Sequence, residues 1–590
     1  MMKRLTLILL FCVTLHLPCQ TSAAEMKRGE FLVISYHSVL LHPSPNDPLS
    51  ISQLLFTEQM EYLKTHGYHP VSLGDIISAG EGKTQLPERA LLLTFDDGYR
   101  SYYNFVAPLL KEYGYPSLVA IIGNFVDNPP DNLTEPLMSW EQIREVNGSP
   151  LVEVISHTYG LHNSIQYTPQ GNVGAAARVR AYHKETNSYE SEEEFRGRLD
   201  ADFKAQAKLF RKRLAVKPRA VVWPYGRFTR IGDEAARKAG YAASFSLEDG
   251  YGNSGNLFAL SRHLVYNEPI GDFIALLHGG YDAPPIRAVQ VDLDAIYVDG
   301  SPKQTGKNLD RLIDRLVAMK VNTVFLQAFA DPDRTGVIKS VYFPNSVLPV
   351  RADIFSHIVH QIVIRDMEVF PWMPILNIEL PDSERNRPLR ADDEAKRLVR
   401  TLYEELAAHA QIDGVLFQDD DCLSRERERE GAKTEAIIDF TRSIMDGVRS
   451  YNHEARFARN ICSTAQIETE SRASFAQEYK LFLQAYDLVV VTPSPQMAGV
   501  GDRASPWLTG LVDGAKEVSG GIEKSLFKVA SYDWKGEKWR DEALLLEEIR
   551  NLLAAGARNI AYYPDNPALE RPGIETMGLE MSTENYPFMP

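Results

Sequence analysis

The alternation of apolar runs with amphipathic segments is most regular in the second half of the chain. Eight short apolar runs occur there, and the segments between them carry apolar residues three and four positions apart, as a helix with one buried face does. Eight strands that alternate with helices predict a (β/α)8 barrel. The predicted strands are Val289–Leu293, Thr323–Ala328, Val369–Leu376, Gly414–Phe417, Ala455–Ile461, Leu488–Val491, Lys528–Ser531 and Asn559–Tyr563. The predicted helices include Asn308–Lys320, Glu394–Ala410, Pro506–Val518 and Ala543–Ala555.

The first half of the chain alternates in the same way, but less regularly. It is therefore also predicted to be α/β, with its chemistry where the strands end. The predicted strands are Leu32–Tyr36, Ala90–Phe95, Leu118–Ile122, Leu151–Ile155, Ala220–Trp223 and Ala242–Phe245. The predicted helices are Phe56–His66, Phe105–Tyr113 and Phe195–Leu214.

The length of 590 residues exceeds what one hydrophobic core normally serves, so two large domains are expected. The best boundary is Asp282-Ala283-Pro284-Pro285, which follows Gly279-Gly280, because prolines and glycines interrupt regular structure. The predicted domains are residues 25–285 and the barrel of residues 286–590.

Residues 1–24 have the pattern of a secretory signal peptide. Lys3 and Arg4 precede a mostly apolar stretch over residues 5–17, and Ser22-Ala23-Ala24 places small residues before Glu25. The apolar stretch is shorter than the roughly 20 residues of a membrane-spanning helix. Cys19 leaves a lipoprotein as the alternative, although the residues before it fit a lipobox poorly. Secretion is the expectation.

The composition bounds the class of partner. The chain is 44% hydrophobic and 24% charged, which is ordinary for a folded protein. Its formal net charge of −16 argues against nucleic acid as a partner, because phosphate recognition needs basic surfaces. A neutral or cationic ligand is compatible with this charge. Cys422 and Cys462 remain after the signal peptide, enough for one disulfide at most.

Two adjacent carboxylates follow the predicted strand that ends at Phe95. Asp96 and Asp97 are like charges that oppose each other's ionisation, and a divalent cation removes this difficulty. Gly98 lets the chain turn sharply after them. An Asp-Asp-Gly sequence taken alone is more often a turn than a site.

Two histidines follow the predicted strand that ends at Ile155. His157 and His162 are five residues apart, so on a helix they would lie roughly 140° apart around the axis and could not bind one ion. At a strand end followed by a turn they can converge. Together with the Asp-Asp pair they predict a His-His-Asp metal site with open coordination positions, as a catalytic metal requires.

Aromatic and titratable residues follow two further strands. Trp223 and Tyr225 lie on a proline-containing segment and suit the flat face of a sugar, although core packing accounts for Trp223 equally well. His37 follows Tyr36 and is a candidate acid or base, since histidine titrates near neutral pH.

Polar residues also follow most strands of the predicted barrel, the end at which such barrels carry their sites. Any one of them is more often a helix cap. As a set they predict a carbohydrate-sized site. The candidate contacts are Asp331, Asp333, Trp372, Asp419, Asp420, Tyr563 and Asp565.

These motifs resemble a known family. Thr94-Phe95-Asp96-Asp97-Gly98, the paired histidines and Trp223-Pro224-Tyr225-Gly226 resemble the motifs of the NodB-homology polysaccharide deacetylases, family four of the carbohydrate esterases. Tyr36-His37-Ser38-Val39 is similar to their circularly permuted branch. Segments of the second half resemble the C-terminal domain of the poly-β-1,6-N-acetyl-D-glucosamine (PNAG) N-deacetylases of Gram-negative biofilm formers. These segments are Leu326–Asp333, Asp413–Asp420, Ala458–Asn460 and Tyr562–Asn566.

The resemblance implies a fold, a reaction and partners. The implied fold is an irregular N-terminal (β/α) barrel of the NodB type followed by a glycoside-hydrolase-like (β/α)8 barrel. Asp97, His157 and His162 match the ligands of one divalent metal ion, which is zinc, or iron, nickel or cobalt. Asp96 matches the general base and His37 the general acid of N-deacetylation. The implied partners are PNAG and an outer-membrane export porin, and the implied location is the periplasm, with association to the outer membrane as an alternative.

The chain departs from the family at two places. The arginine that usually precedes the proline-aromatic motif is replaced by Val222-Trp223, so Arg219 and Arg262 are the candidates for orienting Asp96. Relatives carry histidine at the position of Gln418, which bears on glycoside hydrolysis by the barrel more than on polymer binding.

Three functional alternatives stay open. The barrel binds the polymer only, or it also cleaves it with a carboxylate among Asp331, Asp419 and Asp420, or the whole chain is a non-catalytic glycan-binding module. The substrate of the first domain is PNAG, or instead peptidoglycan or chitin, because the deacetylation chemistry is indifferent to linkage.

The signal pattern predicts a mature N-terminus at Glu25 without a lipid. Small residues stand before Glu25, and the segment before Cys19 fits a lipobox poorly. Mass spectrometry of the native protein measures this directly. A diacylglyceryl mass on Cys19 would contradict the prediction.

Overall fold

The computed structural model describes residues 26–279, 283–379, 393–419, 431–462, 478–493 and 504–585. The predicted signal peptide, Asp420 and Cys422 lie outside the described residues. The domain limits 25–285 and 286–590 stay predictions.

The first half of the chain forms an α/β fold around one sheet of nine strands. The sheet has the order β13-β12-β7-β6-β5-β1-β14, with β15 also paired to β1 and β4 to β5. The strands are β1 (Glu30–Tyr36), β2 (Ser38–Leu40), β3 (Ser50–Ser52), β4 (His69–Pro70), β5 (Ala90–Phe95), β6 (Ser117–Ile121), β7 (Val152–Ser156), β8 (Ser164–Gln166), β9 (Val173–Ala175), β10 (Tyr182–His183), β11 (Ser188–Tyr189), β12 (Ala220–Val222), β13 (Ala243–Phe245), β14 (Gly252–Asn253) and β15 (His263–Leu264). The helices are α1 (Gln53–Thr65), α2 (Leu73–Gly80), α3 (Ala107–Tyr113), α4 (Gly123–Asp127), α5 (Trp140–Asn147), α6 (Glu192–Leu214), α7 (Arg230–Ala239) and α8 (Ile270–Leu277).

The central strands of this sheet are parallel and buried. Every residue of β5 and β6 is buried, as expected for a parallel sheet covered on both faces. Serines begin several of the helices: Ser72, Ser139 and Ser191 each cap a helix whose third residue bonds back to the serine. Sequence periodicity missed the short hairpins β8–β9 and β10–β11, which have too few residues to show a pattern.

The second half forms a closed barrel of eight parallel strands, β16-β17-β20-β21-β22-β23-β24-β27. The strands are β16 (Arg287–Val291), β17 (Thr323–Gln327), β18 (Phe329–Ala330), β19 (Ser340–Val341), β20 (Glu368–Met373), β21 (Gly414–Phe417), β22 (Arg456–Cys462), β23 (Leu488–Thr492), β24 (Ser525–Ala530), β25 (Tyr532–Asp533), β26 (Lys538–Trp539) and β27 (Asn559–Asp565). The helices are α9 (Pro302–Met319), α10 (Phe355–Val363), α11 (Asp393–His409), α12 (Gly431–Arg449), α13 (Ala504–Lys516), α14 (Gly521–Lys524), α15 (Glu542–Ala554) and α16 (Ile574–Met581).

The predicted (β/α)8 barrel is confirmed, and each predicted strand corresponds to a barrel strand. The boundaries differ by one to three residues at most ends, as for Val289–Leu293, which is Arg287–Val291 in the structure. Gly414 allows β21 to approach its neighbours closely, because a Cβ at this position would lie 2.2 Å from both the Arg456 carbonyl oxygen and the Phe370 ring.

Among the described residues, every helix is either too short or too polar to cross a lipid bilayer.

Candidate active site

The predicted site residues of the first half follow neighbouring strands at the same edge of the sheet. His37 follows β1, Asp96 and Asp97 follow β5, His157 follows β7, and Tyr225 follows β12. The carboxyl ends of parallel strands meet at one edge, so the topology brings together residues that are up to 188 positions apart, the separation of His37 from Tyr225.

Asp97, His157 and His162 form a cluster that fits a metal ion. One ligand atom from each lies within 4.8 Å of the other two. Asp97 and His157 are 7% and 2% exposed, and His162 is half-buried. A carboxylate and two imidazoles are ligands that zinc and the neighbouring divalent metals accept, and three protein ligands leave positions for substrate and water.

The orientation of His157 agrees with ligation through Nε2. Its Nδ1 lies 2.9 Å from the carbonyl oxygen of Val222, to which a ring N–H donates. A histidine that donates from Nδ1 to a carbonyl oxygen presents its Nε2 lone pair to a cation, the arrangement found in most histidine ligands. The His162 ring lies 4.9 Å from the His157 ring and 4.6 Å from the Tyr225 ring, measured between centroids. Burial, and then the nearby Asp97 carboxylate, raise the pKa of the Tyr99 hydroxyl.

The backbone of the site is strained at three non-glycine residues. Asp97, Thr158 and Tyr225 have φ of 67°, 66° and 58°, in the left-handed region that costs free energy for residues with a side chain. Each follows a strand of the sheet, and each lies within the motif that the sequence singled out. Strained residues of this kind concentrate at functional sites.

Of the two candidate arginines, Arg262 is paired with Asp96. Arg262 Nη1 lies 2.8 Å from Asp96 Oδ1, and Arg262 Nη2 lies 3.0 Å from Oδ2. The arginine is fully buried and also donates to the hydroxyls of Ser35 and Thr94, at 3.1 and 3.2 Å. Arg262 precedes β15, whose pairing with β1 carries it to Asp96. Of the two arginines that the sequence offered, Arg262 is therefore the one placed to orient the Asp96 carboxylate.

His37 lies beside Asp96 at the sheet edge. The Asp96 backbone N–H donates to the Tyr36 carbonyl oxygen at 2.9 Å, which fixes the two strand ends against each other. The His37 Nδ1 is buried and makes no hydrogen bond within the described residues. The structure therefore brings His37, Asp96 and the metal-ligand candidate Asp97 to one place.

Trp223 does not face a ligand, which corrects the expectation of a sugar contact there. It is 0% exposed, stacks on Phe228 with 5.8 Å between centroids, and donates from Nε1 to Asp233 at 3.0 Å. Burial raises the pKa of the Asp233 carboxyl, against the effect of its hydrogen bonds to Ser244 and Trp223. Tyr225 is 48% exposed and remains a candidate contact.

Two predicted contact residues of the barrel are committed to buried ion pairs. Asp565 is 1% exposed and accepts from Arg315 at both oxygens and from the Tyr562 hydroxyl at 2.8 Å. Asp419 is 5% exposed and accepts from Arg459 at 2.8 Å and from two backbone N–H groups, of Ile375 and Leu376. These pairs fix both carboxylates in place, and a direct contact of either with a ligand stays a prediction.

The other barrel candidates vary in accessibility. Asp333 is exposed, and Asp331 is half-buried and accepts from the backbone N–H groups of Thr335 and Gly336, both at 2.8 Å. Trp372 is 3% exposed and packs edge-on against Tyr563, which is half-buried. Asp420 lies outside the described residues.

The candidate set for the barrel missed an exposed aromatic residue. Trp534 is 38% exposed, and its ring lies 5.8 Å from Tyr563 and 4.9 Å from Tyr532. Its position after the seventh barrel strand was the available signal, because exposed aromatic rings at strand ends suit sugar faces.

Comparisons with known proteins divide the chain in the same two halves. Residues 83–244 match the polysaccharide deacetylase family, and residues 290–394 and 426–563 match a family described as hypothetical glycosyl hydrolase family 13. The poly-β-1,6-N-acetyl-D-glucosamine N-deacetylase of Escherichia coli strain K12 is 33% identical over 623 aligned residues, which cover 94% of this chain and 92% of that protein.

Two solved structures are similar to separate parts of the chain. The PgaB (BpsB) glycoside hydrolase domain from Bordetella bronchiseptica is 31% identical and covers 51% of this chain and 99% of that one, with a TM-score of 0.45. A de-N-acetylase from Aggregatibacter actinomycetemcomitans is 34% identical and covers 40% of this chain and 96% of that one, with a TM-score of 0.38. On the near full-length identity to the E. coli enzyme, the chain belongs to the family of poly-β-1,6-N-acetyl-D-glucosamine N-deacetylases.

Proposed function

We propose that this protein hydrolyses N-acetyl groups of PNAG with the help of one divalent metal ion. The observation that carries the proposal is the Asp97, His157 and His162 cluster beside the Asp96–Arg262 pair, in a chain 33% identical to a PNAG N-deacetylase. Zinc is the first candidate, with iron, nickel and cobalt as the others, because all four accept imidazole and carboxylate ligands.

Asp97, His157 and His162 hold the ion. Bound there, a divalent ion supplies Lewis-acid chemistry, by polarising the amide carbonyl and easing deprotonation of water near neutral pH.

Asp96 acts as the general base. It takes a proton from the water that attacks the acetyl carbonyl carbon. Each of its oxygens accepts one bond from Arg262, and a carboxylate oxygen can accept more than one hydrogen. The bidentate pair also fixes the plane of the carboxylate, so the base cannot rotate towards the metal ligands.

His37 acts as the general acid and Tyr225 supports the carbonyl oxygen. His37 delivers a proton to the departing amine, which leaves glucosamine and acetate. The strained backbone at Tyr225 presents a main-chain N–H that stabilises the negative oxygen of the tetrahedral intermediate. Tyr225 is exposed, so its ring borders the open side of the site, where the sugar enters.

The cellular setting follows from the signal pattern and the substrate. We propose that the protein is exported and acts in the periplasm, where it deacetylates part of the polymer before an outer-membrane porin exports it. Association with the outer membrane and lipidation of Cys19 are the alternatives that the N-terminal mass decides.

The barrel is proposed to bind the partly deacetylated product. Trp534 and Tyr563 offer exposed and half-exposed rings, and Asp331 and Asp333 supply negative charge near the strand ends. Glucosamine carries an ammonium group below neutral pH, so charge complementarity favours it over N-acetylglucosamine. The match to a glycosyl hydrolase family keeps cleavage of the bound chain as a second candidate activity.

We expect acetate release from β-1,6-linked N-acetylglucosamine oligomers, and loss of this activity on chelation. Release of comparable acetate from β-1,4-linked chitin or peptidoglycan oligomers would shift the substrate to those polymers. Activity that survives exhaustive metal removal would contradict the metal-dependent mechanism.

Variants of the cluster divide metal binding from proton transfer. His157→Ala and His162→Ala are each expected to lose the ion and the activity, because each removes a ligand. Asp96→Asn is expected to keep the ion and to lose about 10²-fold or more in kcat, the usual contribution of a general base. Metal analysis together with acetate release separates these cases. Near-full activity in Asp96→Asn would mean that another group is the base.

Arg262→Met is expected to lower kcat by about 10²-fold, because the Asp96 carboxylate loses the two bonds that fix its plane. Arg262→Lys, which keeps a charge without the bidentate geometry, is expected to have a kcat between those of Arg262→Met and the wild type. Metal affinity is the control and should not change. A wild-type kcat in Arg262→Met would contradict the orienting role.

Binding to the barrel is expected to depend on charge at Asp333 and on stacking at Trp534. In the inactive Asp96→Asn chain, Asp333→Asn should reduce the preference for partly deacetylated oligomers, and the preference should shrink with salt. Trp534→Ala should lower the affinity for both oligomers equally, because stacking on the sugar ring does not depend on the acetyl group. Asp513→Asn, an exposed carboxylate on α13, is the matched control. Calorimetric titration measures these affinities. Equal affinity of the parent for both oligomers would contradict the electrostatic account, and oligomer shortening would favour cleavage.

A further inference from the structure

The turn between the two histidines is held by a side chain from a distant helix. Asp202, on α6, accepts the Tyr159 backbone N–H at its Oδ2, at 2.9 Å, and the Gly160 backbone N–H at its Oδ1, at 2.7 Å. Asp202 is 8% exposed. Both oxygens of this buried carboxylate therefore accept hydrogen bonds from the segment between His157 and His162.

The turn depends on such support because its own sequence does not favour its shape. Thr158 is β-branched and has φ of 66°, which is unfavourable for such a residue. The Ser156 hydroxyl accepts the Thr158 N–H at 3.0 Å, and Asp202 takes the next two N–H groups. The backbone N–H groups of three successive residues are thus bonded by the side chains of two residues, Ser156 and Asp202.

Burial of the Asp202 carboxyl is unfavourable for its charged form, so the two hydrogen bonds to the turn are needed to keep it there. Burial raises the pKa of its carboxyl to about 6, against the lowering effect of the two N–H donors and of Arg198. A buried carboxylate persists only where hydrogen bonds replace its lost hydration. Here the replacement is supplied by the histidine turn.

The same face of α6 also bonds the end of β6, the strand whose last carbonyl group accepts the His157 N–H. Gln206, one helical turn beyond Asp202, donates from Nε2 to the Ile121 carbonyl oxygen at 3.1 Å. That oxygen also accepts the His157 backbone N–H at 2.9 Å. Two residues of one helix therefore hold the turn that follows the first histidine and the carbonyl group that accepts the N–H of this histidine.

We propose that Asp202 is a positioning residue, which presets the separation of His157 and His162 and so raises the affinity of the protein for its metal ion. The inference rests on the proposed function, because it takes the two histidines as ligands. Asp202 bonds the backbone N–H groups of Tyr159 and Gly160, so it acts on the two histidines through the backbone of the turn.

The test compares Asp202→Asn with the wild-type full-length chain. The amide places an N–H donor against a backbone N–H donor, so one bond is lost and the turn is pushed away. Zn²⁺ affinity, from competition with a chelator, is expected to fall about 10- to 100-fold, as for other residues that orient metal ligands. The absorption spectrum of the Co²⁺-loaded protein should change, because its bands report ligand geometry.

Catalysis gives an independent readout. At saturating metal, kcat of Asp202→Asn should return to within a few-fold of the wild-type value with KM unchanged, because Asp202 does not contact substrate.

Glu190→Gln is the matched control. Glu190 is a buried carboxylate that accepts hydrogen bonds from Arg198, which lies on α6 as Asp202 does, and from the Ala181 N–H. Its loss should lower the melting temperature and leave Zn²⁺ affinity unchanged. If Asp202→Asn loses stability in the same way without a change in Zn²⁺ affinity, Asp202 is only a fold anchor and the proposal is wrong.

Two further outcomes are distinguishable. If Asp202→Asn does not fold, Asp202→Glu, which keeps the charge but displaces it by one methylene, decides the matter, and unchanged Zn²⁺ affinity there overturns the proposal. If the wild type binds no metal, or His157→Ala still binds it, the proposed metal site fails first, and the failure does not lie with Asp202.

Discussion

Two adjacent carboxylates at the end of one buried strand must each be balanced by a different cation. Asp96 is 3% exposed, and a fully buried Arg262 takes both of its oxygens. Asp97 is 7% exposed and faces two histidines, which as neutral ligands add no charge of their own. Because like charges at this spacing oppose joint ionisation, a divalent ion at Asp97 would complete the balance. The proposed roles follow from this difference: the carboxylate paired with the guanidinium serves as the base, and the one beside the histidines serves as a metal ligand.

Strand pairing, and not sequence spacing, decides which arginine serves Asp96. Arg262 is 166 positions from Asp96, and the sequence left it equal to Arg219. The choice is made by β15, which lies parallel to β1 with Ile34 opposite His263, while β1 lies parallel to β5. A two-residue strand such as β15 is too short to show a hydrophobic pattern. The contact between Arg262 and Asp96 could therefore not be predicted from the periodicity of the sequence. The barrel was predictable because its strands are rich in apolar residues and alternate with amphipathic helices.

The same reasoning explains why the order of site residues along the chain was predicted better than their exposure. A position at the end of a strand tells which edge of the sheet or barrel a residue lies on. It does not tell whether the side chain points into the core or towards solvent. Trp223 and Asp565 both end strands, yet one is packed on Phe228 and the other is bonded by Arg315. Their partners come from elsewhere in the chain, so only the packed structure reveals that these side chains are already occupied. Tyr225, two residues after Trp223, is exposed because the strained turn directs it outward.

Strain and burial separate the chemistry of the sheet edge from that of the barrel top. In the barrel, Asp419 and Asp565 have arginine partners and hydrogen bonds at both oxygens, so these carboxylates stabilise loops. At the sheet edge, the backbone at Asp97, Thr158 and Tyr225 adopts conformations that those residues do not favour. Such turns persist only when surrounding groups hold them, and each such group is then part of the site although it touches no substrate. A carboxylate such as Asp202, remote in sequence and buried, therefore belongs to the function as much as the ligands that it supports.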